Sequence, residues 1–358
     1  MKNPYQIKRR ETKQINVGDV KVGGNAPISV QSMTNTLTTN IEGTVKQVND
    51  CVDYGVELMR ISVPNQDSAD ALKKIIPRCK VPIIADIHFD FNMAIESAKA
   101  GAKCLRINPG NVGNVEKIQD IIKAAKDYNC SIRIGVNSGS LSRELLQKYG
   151  EPCVDAMIES AMEHIKILED NEFFETKIAM KASGVFLTME SYRELAKLCN
   201  YPFHLGVTEA GTLIGGTVKS SVALGSLLLE GIGDTIRVSL SADPIEEVKV
   251  GNLILKSIGL RNKGINIVSC PTCARKGFDV ISVVNELEKK TEKIQKPITI
   301  SVLGCIVNGI GEAEHSDIGI VGGTKDEHLL YFKGKKHKKI KTEDIVDEVL
   351  NLVKNLQQ

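Results

Sequence analysis

Residues 81–107 read VPIIADIHFDFNMAIESAKAGAKCLRI, and this stretch decides the fold. A β-rich run, VPIIADIH, is followed by a segment of helical period, NMAIESAKAG, and then by a second β-rich run that begins AKCLRI. A strand, a helix and a strand in this order form the repeating unit of a parallel sheet, because parallel neighbours need a long crossover connection. The stretch therefore predicts an α/β fold.

The same alternation runs from Ile28 to Gly259 and gives eight β-rich runs. They are ISVQSM (28–33), VELMRISV (56–63), VPIIADIH (81–88), AKCLRINP (102–109), SIRIGVN (131–137), TKIAMKAS (176–183), FHLGVTE (203–209) and TIRVSLS (235–241). Eight βα units over roughly 230 residues match a TIM (β/α)8 barrel, which typically takes about 250. A doubly wound open sheet is the alternative, but no GxGxxG follows the first strand.

Two further regions flank the barrel. Residues 5–27 contain RETKQINVGDVKVGG, which predicts a β-hairpin that plugs one barrel end. After Leu260 the pattern changes to a strand ending in SCPTC, a helix from about Asp279 to Glu292, the strand ITISVLG, a glycine-rich segment, a basic hairpin over 333–341 and a last helix from Thr342. We therefore predict a barrel domain over 1–262 and a smaller α/β domain over 263–358. The segment GTLIGGTVKS (211–220) is interpreted as a flexible barrel loop.

Composition excludes several classes of protein. The chain has 358 residues and a net charge of +2, which indicates neither a nucleic-acid-binding nor a membrane protein. The N-terminal segment lacks the apolar core of a signal peptide, and no apolar run approaches the ~20 residues of a membrane span. Nine cysteines, an odd number spread along a long chain, do not suggest a disulfide framework. We expect a protein of the reducing cytoplasm.

Polar side chains at the C-terminal ends of the barrel strands predict an anion site, because active sites of barrels lie at that face. In chain order they are Gln31, Ser32, Thr34, Arg60, Ser62, Asp86, His88, Arg106, Asn108, Arg133, Asn137, Lys181, Ser183, Thr208, Glu209, Arg237 and Ser239. Five of them are cationic, whereas only Asp86 and Glu209 are acidic. Arginine binds phosphate through a bidentate fork, so we expect a small diphosphate-bearing substrate, even if one or two arginines pair with these carboxylates.

Three cysteines and a glutamate near the C-terminus indicate a metal centre. Cys270 and Cys273 form a CxxC pair in SCPTCAR, and LGCIVNGIGE carries Cys305 and Glu312. Each cysteine group follows a β-rich run, so we expect both at strand tips followed by turns. Three thiolates are one short of a closed cysteine site, whereas a [4Fe-4S] cluster held in this way keeps one iron for an oxygen ligand or substrate.

Other interpretations of these residues remain open. Zinc and a redox dithiol are the alternatives for the CxxC pair. Glu312 could equally be a carboxylate at the start of a helix. Its neighbours Gly309 and Gly311 would let the backbone approach a bulky cluster.

Motifs on every barrel strand and in the cysteine-bearing region resemble one family. They are VQSMTNT, MRISVP, ADIHFD, LRINPGN, IRIGVNSGSL, MKAS, VTEAG, DTIRVSLS, SCPTCAR and LGCIVNGIGE. Together they are similar to the 4-hydroxy-3-methylbut-2-en-1-yl diphosphate synthases of the methylerythritol phosphate route to isoprenoids. The resemblance spans almost the whole chain and fits the shorter bacterial form. Ile310 departs from the pattern, because the family usually has proline there.

The resemblance implies a specific reaction. The family opens 2-C-methyl-D-erythritol 2,4-cyclodiphosphate reductively and removes a hydroxyl as water, giving (E)-4-hydroxy-3-methylbut-2-enyl diphosphate. Two electrons come from reduced flavodoxin or ferredoxin through a [4Fe-4S] cluster. The resemblance also implies a sulfite/nitrite reductase-like fold for the cluster domain, and a head-to-tail homodimer in which that domain of one chain covers the barrel mouth of the other.

The resemblance assigns a role to each matching residue. The cluster ligands would be Cys270, Cys273, Cys305 and Glu312. From the residues themselves we hypothesise that a substrate oxygen displaces Glu312 from its iron. The residues expected to hold the diphosphate are Arg60, Arg106, Arg133, Asn137, Lys181, Arg237 and Ser239. Asp86, His88, Thr208 and Glu209 would face the methylerythritol carbons. We hypothesise from the residues that Glu209 is the proton donor, because the pKa of a carboxyl at a barrel mouth can be tuned.

Two rival functions remain open from the sequence. One is a non-redox lyase or transferase, resembling dihydropteroate synthase, that acts on a phosphorylated substrate and carries structural zinc. The other is an electron-transfer or iron-sulfur sensing protein with no substrate of its own, which the cationic barrel mouth disfavours.

Overall fold

The computed structural model describes residues 7–88, 90–108, 115–324 and 326–357. Residues 5 and 6 of the N-terminal segment and residues 109–111 of the LRINPGN motif lie outside them. The chain divides after Leu260 into two compact units. Among the helices that the structure describes, none is both long and apolar enough to cross a lipid bilayer.

The first unit begins with a β-hairpin of strands β1 (Ile15–Val17) and β2 (Val20–Val22). Gly18 in the turn has a φ of +64°, a left-handed conformation that glycine adopts without strain. The hairpin side chains Ile15, Val17 and Val22 are buried against Leu58, Ile84 and Cys104, which lie toward the N-terminal ends of their own strands. The hairpin therefore covers the end of the barrel opposite to the mouth.

Eight parallel strands follow in the described part of this unit. They are β3 (Ser29–Met33), β4 (Leu58–Ser62), β5 (Ile83–Asp86), β6 (Cys104–Ile107), β7 (Ser131–Asn137), β8 (Thr176–Lys181), β9 (His204–Leu205) and β10 (Thr235–Ile236). Their order in the sheet is β8-β7-β6-β5-β4-β3-β10-β9, and a parallel bridge between Ile178 and Phe203 joins the two ends. The predicted barrel is confirmed, and the doubly wound alternative is wrong.

Helices connect these strands and pack their apolar faces on the outside of the barrel. They are α1 (Ile41–Asp53), α2 (Gln66–Ile75), α3 (Phe91–Lys99), α4 (Val115–Asp127), α5 (Arg143–Tyr149), α6 (Val154–Asp170), α7 (Val185–Leu198), α8 (Leu213–Leu229) and α9 (Pro244–Ser257). Side-chain caps begin several of them; Asp243 accepts a hydrogen bond from the N–H of Ile245 at 2.9 Å, next to Pro244 in the first turn of α9.

The second unit is a five-stranded mixed sheet with three helices in its described residues. Its elements are β11 (Ile265–Ser269), α10 (Val280–Thr291), β12 (Ile298–Leu303), α11 (Ile306–Glu314), β13 (Ile318–Val321), β14 (His328–Phe332), β15 (Lys335–Ile340) and α12 (Ile345–Gln357). Strands β11, β12 and β13 are parallel, whereas β14 and β15 add antiparallel at one edge. The predicted α/β class of this unit is confirmed.

Two glycine-rich segments are helical where the sequence suggested loops. GTLIGGTVKS is not a flexible loop, because α8 begins at Leu213 within it. LGCIVNGIGE contributes α11, whose Gly309 lies so close to the sheet that a Cβ atom there would approach Val321 Cγ1 to 2.6 Å. Gly309 is thus needed for packing of the helix on the sheet, which outweighs its low helix propensity.

Candidate active site

The register of the strands brings charged side chains together inside the barrel. Lys177, Arg133, Arg106, Asp86 and Ser62 are successive cross-strand partners from β8 to β4. Cross-strand partners in register lie on the same face of a sheet, and in a barrel one face is the interior. The side chains of this row therefore all point into the barrel.

Asp86 lies at the centre of this row and binds two arginines. Its carboxylate is 3.1 Å from Arg106 Nη1 and 3.6 Å from Arg60 Nε. Burial alone would raise the pKa of Asp86, but the positive charges of Arg60, Arg106, Arg133 and neighbouring His88 outweigh it and hold the pKa below its usual range. Asp86 is therefore an anion that orients the arginines, and His88 Nε2 lies 3.8 Å from it near the surface.

Arg133 and Lys181 are buried cations without an ion pair among the described residues. Nε and Nη1 of Arg133 also lack a hydrogen-bond partner in the described part of the chain. Burial lowers the pKa of Lys181 well below its usual value, and the charges of Arg133, Arg60, Arg237 and Arg106 lower it further. Burial of unpaired positive charges is unfavourable, and a bound anion would offset this cost.

Arg237 is held by a carboxylate that the sequence analysis missed. Glu247 on α9 accepts hydrogen bonds from Arg237 Nη2 at 3.1 Å and Nε at 3.3 Å. The same carboxylate accepts from Ser32 Oγ at 2.8 Å and from the backbone N–H of Leu240 at 3.0 Å. Four donors on three residues thus fix Glu247, and Glu247 fixes the guanidinium. Burial at this position lowers the pKa of Arg237.

Two glycines, Gly135 within β7 and Gly206 directly after β9, make room for the cations. A Cβ atom on Gly206 would lie 2.8 Å from Lys181 Nζ, and one on Gly135 would lie 3.2 Å from Arg106 Nε. A side chain at either position would displace a candidate phosphate ligand. Glycine within a strand often marks such a close approach, and this signal was available in the sequence.

Other predicted residues lie at the rim. Asn137 is the cross-strand partner of Lys181, and Asn108 donates from Nδ2 to Ser140 Oγ at 3.2 Å. Thr208 and Ser239 are half-buried. Glu209 is exposed and has a φ of +53°, which is rare for a residue other than glycine and concentrates at functional sites.

The three motif cysteines lie at the C-terminal ends of two neighbouring parallel strands. Cys270 directly follows β11, and Cys305 follows β12 by two residues. The backbone N–H of Gly304 donates to Cys270 Sγ at 3.3 Å, which connects the two segments. Within the described ranges, no three His, Cys, Asp or Glu side chains are gathered as they would be around a single metal ion.

Cys305 has the properties of a metal ligand. It occupies the N-cap position of α11, where backbone N–H groups face outward. The N–H of Val307 is the largest influence that lowers the pKa of this thiol, and Arg275 and the N–H of Asn308 act in the same direction. A lowered pKa favours the thiolate, which is the form that binds metal.

Glu312 is exposed on α11, seven residues after Cys305 and hence about two turns along the same face. The alternative of a helix-start carboxylate is wrong, because Glu312 lies in the second half of the helix. Gly309 faces the sheet, whereas a Cβ on Gly311 would meet no atom within 4 Å. Of the two glycines, Gly311 alone leaves open space beside the helix.

Two family models match nearly the whole chain. One, described as the GcpE TIM-barrel domain, matches residues 12–252, and the other, the GcpE protein C-terminal domain, matches residues 266–355. The chain is 56% identical over 347 residues to a protein of Jannaschia sp. (strain CCS1) named 4-hydroxy-3-methylbut-2-en-1-yl diphosphate synthase (flavodoxin), covering 97% of this chain and 92% of that protein. A protein of the same name from Rhodospirillum rubrum is 56% identical over 352 residues, with the same coverage.

A solved structure resembles the barrel alone. Dihydropteroate synthase from Stenotrophomonas maltophilia matches with a TM-score of 0.51 at 12% identity, over 70% of this chain and 100% of that one. At this identity the likeness concerns the fold and carries no information about the reaction.

Proposed function

Because the chain belongs to the 4-hydroxy-3-methylbut-2-en-1-yl diphosphate synthase family, oxidoreductases of the methylerythritol phosphate pathway, we propose that its barrel binds 2-C-methyl-D-erythritol 2,4-cyclodiphosphate and that its C-terminal unit holds a [4Fe-4S] cluster. The family decides against the non-redox lyase or transferase with structural zinc. The proposal for the barrel depends on one observation above all. Arg133 on β7 and Lys181 on β8 are both buried, and neither has a carboxylate paired to it among the described residues.

The cations of the barrel would hold the diphosphate. Arg133 and Lys181 are available to it, while Asp86 and Glu247 pre-orient the remaining arginines without saturating their donors. Asn137 and Ser239 would complete the site with neutral donors. Opening of the ring leaves a new negative charge on the released phosphate oxygen, and preorganised cations stabilise charge where it develops. The same residues would thus bind the substrate and favour its opening.

The donor set of the C-terminal unit, three cysteines and a carboxylate, suits a [4Fe-4S] cluster, although among the described residues these side chains are not gathered around one point. Cys270 accepts a hydrogen bond from a backbone N–H, and the lowered pKa of Cys305 favours its thiolate form. Hydrogen bonds to sulfur are a feature of such sites. Cys273 is exposed, in reach of solvent beside its CxxC partner. We propose these three cysteines and Glu312 as the ligands. When bound, the cluster supplies single-electron transfer and a Lewis-acidic iron for the departing hydroxyl.

Acid–base chemistry would come from the rim of the barrel. Glu209 is proposed as the proton donor to the reacting carbons, because it is an exposed carboxyl that carries a rare backbone conformation at the mouth. Asp86 remains ionised beside its arginines and suits an orienting role toward His88. Thr208 would contact the substrate from the end of β9.

The electron donor and the assembly are also proposals. The names of the curated relatives specify flavodoxin, and we propose flavodoxin as the donor here too. We further propose a head-to-tail homodimer and a cytoplasmic location, the latter because the structure records all nine cysteines as free thiols.

The decisive experiment on the barrel is ligand binding and turnover under anaerobic conditions. The protein should convert the cyclic diphosphate to the linear alcohol diphosphate with reduced flavodoxin. Lys181→Met should abolish detectable binding of the cyclic diphosphate, because no other group in the described structure replaces its charge at that position. Unaltered binding by this variant would contradict the assigned site.

The cluster is tested by composition and spectra rather than by activity alone. Purified anaerobically, the protein should contain about four irons and four sulfides per chain, as the cluster stoichiometry requires. Cys305→Ser should lose most of the iron. Glu312→Gln should keep it but alter the electron paramagnetic resonance spectrum of the reduced protein, whereas Glu314→Gln, an exposed residue on the same helix, should leave the spectrum unchanged. Identical spectra for both glutamine variants would remove Glu312 from the ligand set.

A further inference from the structure

A second lysine lies deeper in the barrel than the proposed substrate ligands. Lys177 is on β8, four residues before Lys181, so the two side chains leave the same face of the strand. Lys177 is fully buried, and its Nζ has no hydrogen-bond partner in the described part of the chain. A charged amine left unpaired in this way is among the costliest groups that a protein interior can hold.

Among the residues that the structure describes, no carboxylate is paired with Lys177. Its cross-strand partner on β7 is Arg133, which is itself a cation. Cys104 on β6 and His204 on β9 are the other titratable groups close enough to interact with it electrostatically. His204 is buried and holds Thr235 Oγ1 at 2.6 Å through Nδ1.

Acidic groups near this side of the barrel are already engaged. Glu175, two residues earlier than Lys177 in the chain, accepts a hydrogen bond from the backbone N–H of Asn16 in exposed surroundings. Asp86 is bound to arginines farther along the row. Lys177 therefore experiences burial and repulsion from Arg133, which lower its pKa from 10.5 to about 8.

The charge of the pocket changes when a ligand enters. Before binding, the buried carboxylates Asp86 and Glu247 are outnumbered by the described arginines and lysines around them. A bound cyclic diphosphate brings two negative charges, and opening of its ring adds a further ionisable phosphate oxygen. Among the cations, arginine keeps its charge at any accessible pH. A lysine can adjust, because it can take up or lose a proton.

We propose that Lys177 is the variable charge of the diphosphate site: in mildly alkaline solution its amine loses a proton in the empty barrel, and it keeps that proton when the diphosphate is bound. The inference rests on the proposed substrate site. Lys177 would not contact the reacting atoms. Its charge would act on the bound diphosphate electrostatically, together with the charge of its cross-strand neighbour Arg133. Binding of the substrate takes up a proton, and affinity declines as the pH rises above the value at which the free amine forms.

The test is calorimetric titration of the oxidised holoenzyme with the cyclic diphosphate in the absence of reductant. Both acidic groups of this ligand ionise far below neutral pH, so the ligand itself exchanges no proton. Titration in two buffers of different ionisation enthalpy should show uptake of about half a proton at pH 8 and almost none at pH 6.5. The dissociation constant should rise by up to about tenfold per pH unit between pH 8 and 9.5.

Two variants separate Lys177 from the other titratable groups. Lys177→Met should remove the uptake at pH 8 and flatten the pH dependence of binding. Lys177→Arg keeps a permanent charge and should also bind without uptake, but more tightly than the methionine variant at pH 9. Uptake that persists in Lys177→Met would assign the proton to Lys181 or His204 and overturn the inference.

The outcomes also distinguish this inference from the function on which it rests. Wild-type protein that binds the cyclic diphosphate with no proton uptake at pH 8 would refute the role of Lys177 and leave the substrate site intact. Wild-type protein that fails to bind the cyclic diphosphate at all would refute the substrate site itself. The wild-type measurements require no variant to fold.

Discussion

Gly206 provides the sharpest test of how the cationic site is built. A Cβ atom there would lie 2.8 Å from Lys181 Nζ and 2.9 Å from the carbonyl oxygen of Arg237. Ordinary van der Waals contact begins near 3.4 Å, so these two atoms would have to retreat by 0.6 and 0.5 Å. The lysine can move by rotation, but the carbonyl belongs to the backbone, and the N–H of the same residue is bound to Leu205 O at 2.9 Å.

Gly206→Ala should therefore affect stability and substrate binding together. Overpacking of this kind costs about 1–3 kcal/mol. In a domain of this size each kcal/mol lowers the melting temperature by about 2–4 °C, so we expect a decrease of several degrees by thermal unfolding monitored by circular dichroism. Displacement of Lys181 should raise KM for the cyclic diphosphate at least tenfold, measured anaerobically with reduced flavodoxin.

Gly225→Ala is the matched control. Gly225 lies in α8, and a Cβ atom there would meet no neighbour within 4 Å. Alanine is the better helix former by about 1 kcal/mol, so this variant should melt at the same temperature or slightly higher and keep its KM. A Gly206→Ala enzyme with the wild-type melting temperature and KM would refute the close approach between this strand and Lys181.

Three further substitutions test other parts of the barrel. Glu247→Gln should raise KM about tenfold or more with a smaller change in kcat, since a hydrogen bond to a charged group contributes about 1.5–3 kcal/mol. The half-buried neighbour Glu246 pairs with Lys249 instead, so Glu246→Gln should change neither value. Gly135→Ala should raise KM with little loss of stability, because it displaces only the end of an arginine side chain. Burial lowers the pKa of His164 from 6.5 to about 4, so its neutral form stabilises the fold above pH 6.5 and that stability is lost as the pH falls toward 4. The free energy of unfolding in urea should therefore fall between pH 7 and pH 4.5, and this fall should be about 2–3 kcal/mol smaller in His164→Leu than in the wild type. An equal fall in both proteins would contradict the prediction.

The sequence predicts the barrel well because its strands carry two signals at once. In SIRIGVN, for example, apolar residues mark the buried strand, and the polar Arg133 and Asn137 mark the face that points into the mouth. Helices between the strands supply a different period. Eight repeats of this contrast leave little room for another fold.

The sequence fails where tertiary packing decides between equivalent residues. Glu246 and Glu247 are adjacent in α9, and helical period alone does not say which one turns toward Arg237. Lys177 was predictable in principle, because it shares the inward face of β8 with Lys181. It lies near the start of the strand, however, whereas the search for site residues relied on the C-terminal strand ends. The glycines of α8 and α11 suggested loops, although Gly309 is there so that the helix can approach Val321.

The positions of the carboxylates determine where a bound anion interacts most favourably with the cations inside the barrel. Asp86 and Glu247 already engage three of the arginines through ion pairs. No such partner binds Arg133 on β7 or Lys181 on the neighbouring strand β8 among the residues described. A bound diphosphate should therefore be stabilised most on that side of the barrel. Lys177 lies on the same strand as Lys181 and is the cross-strand neighbour of Arg133. Lys177 and the bound diphosphate would therefore lie on the same side of the barrel. Their electrostatic coupling requires this, because the interaction between two charges weakens with distance.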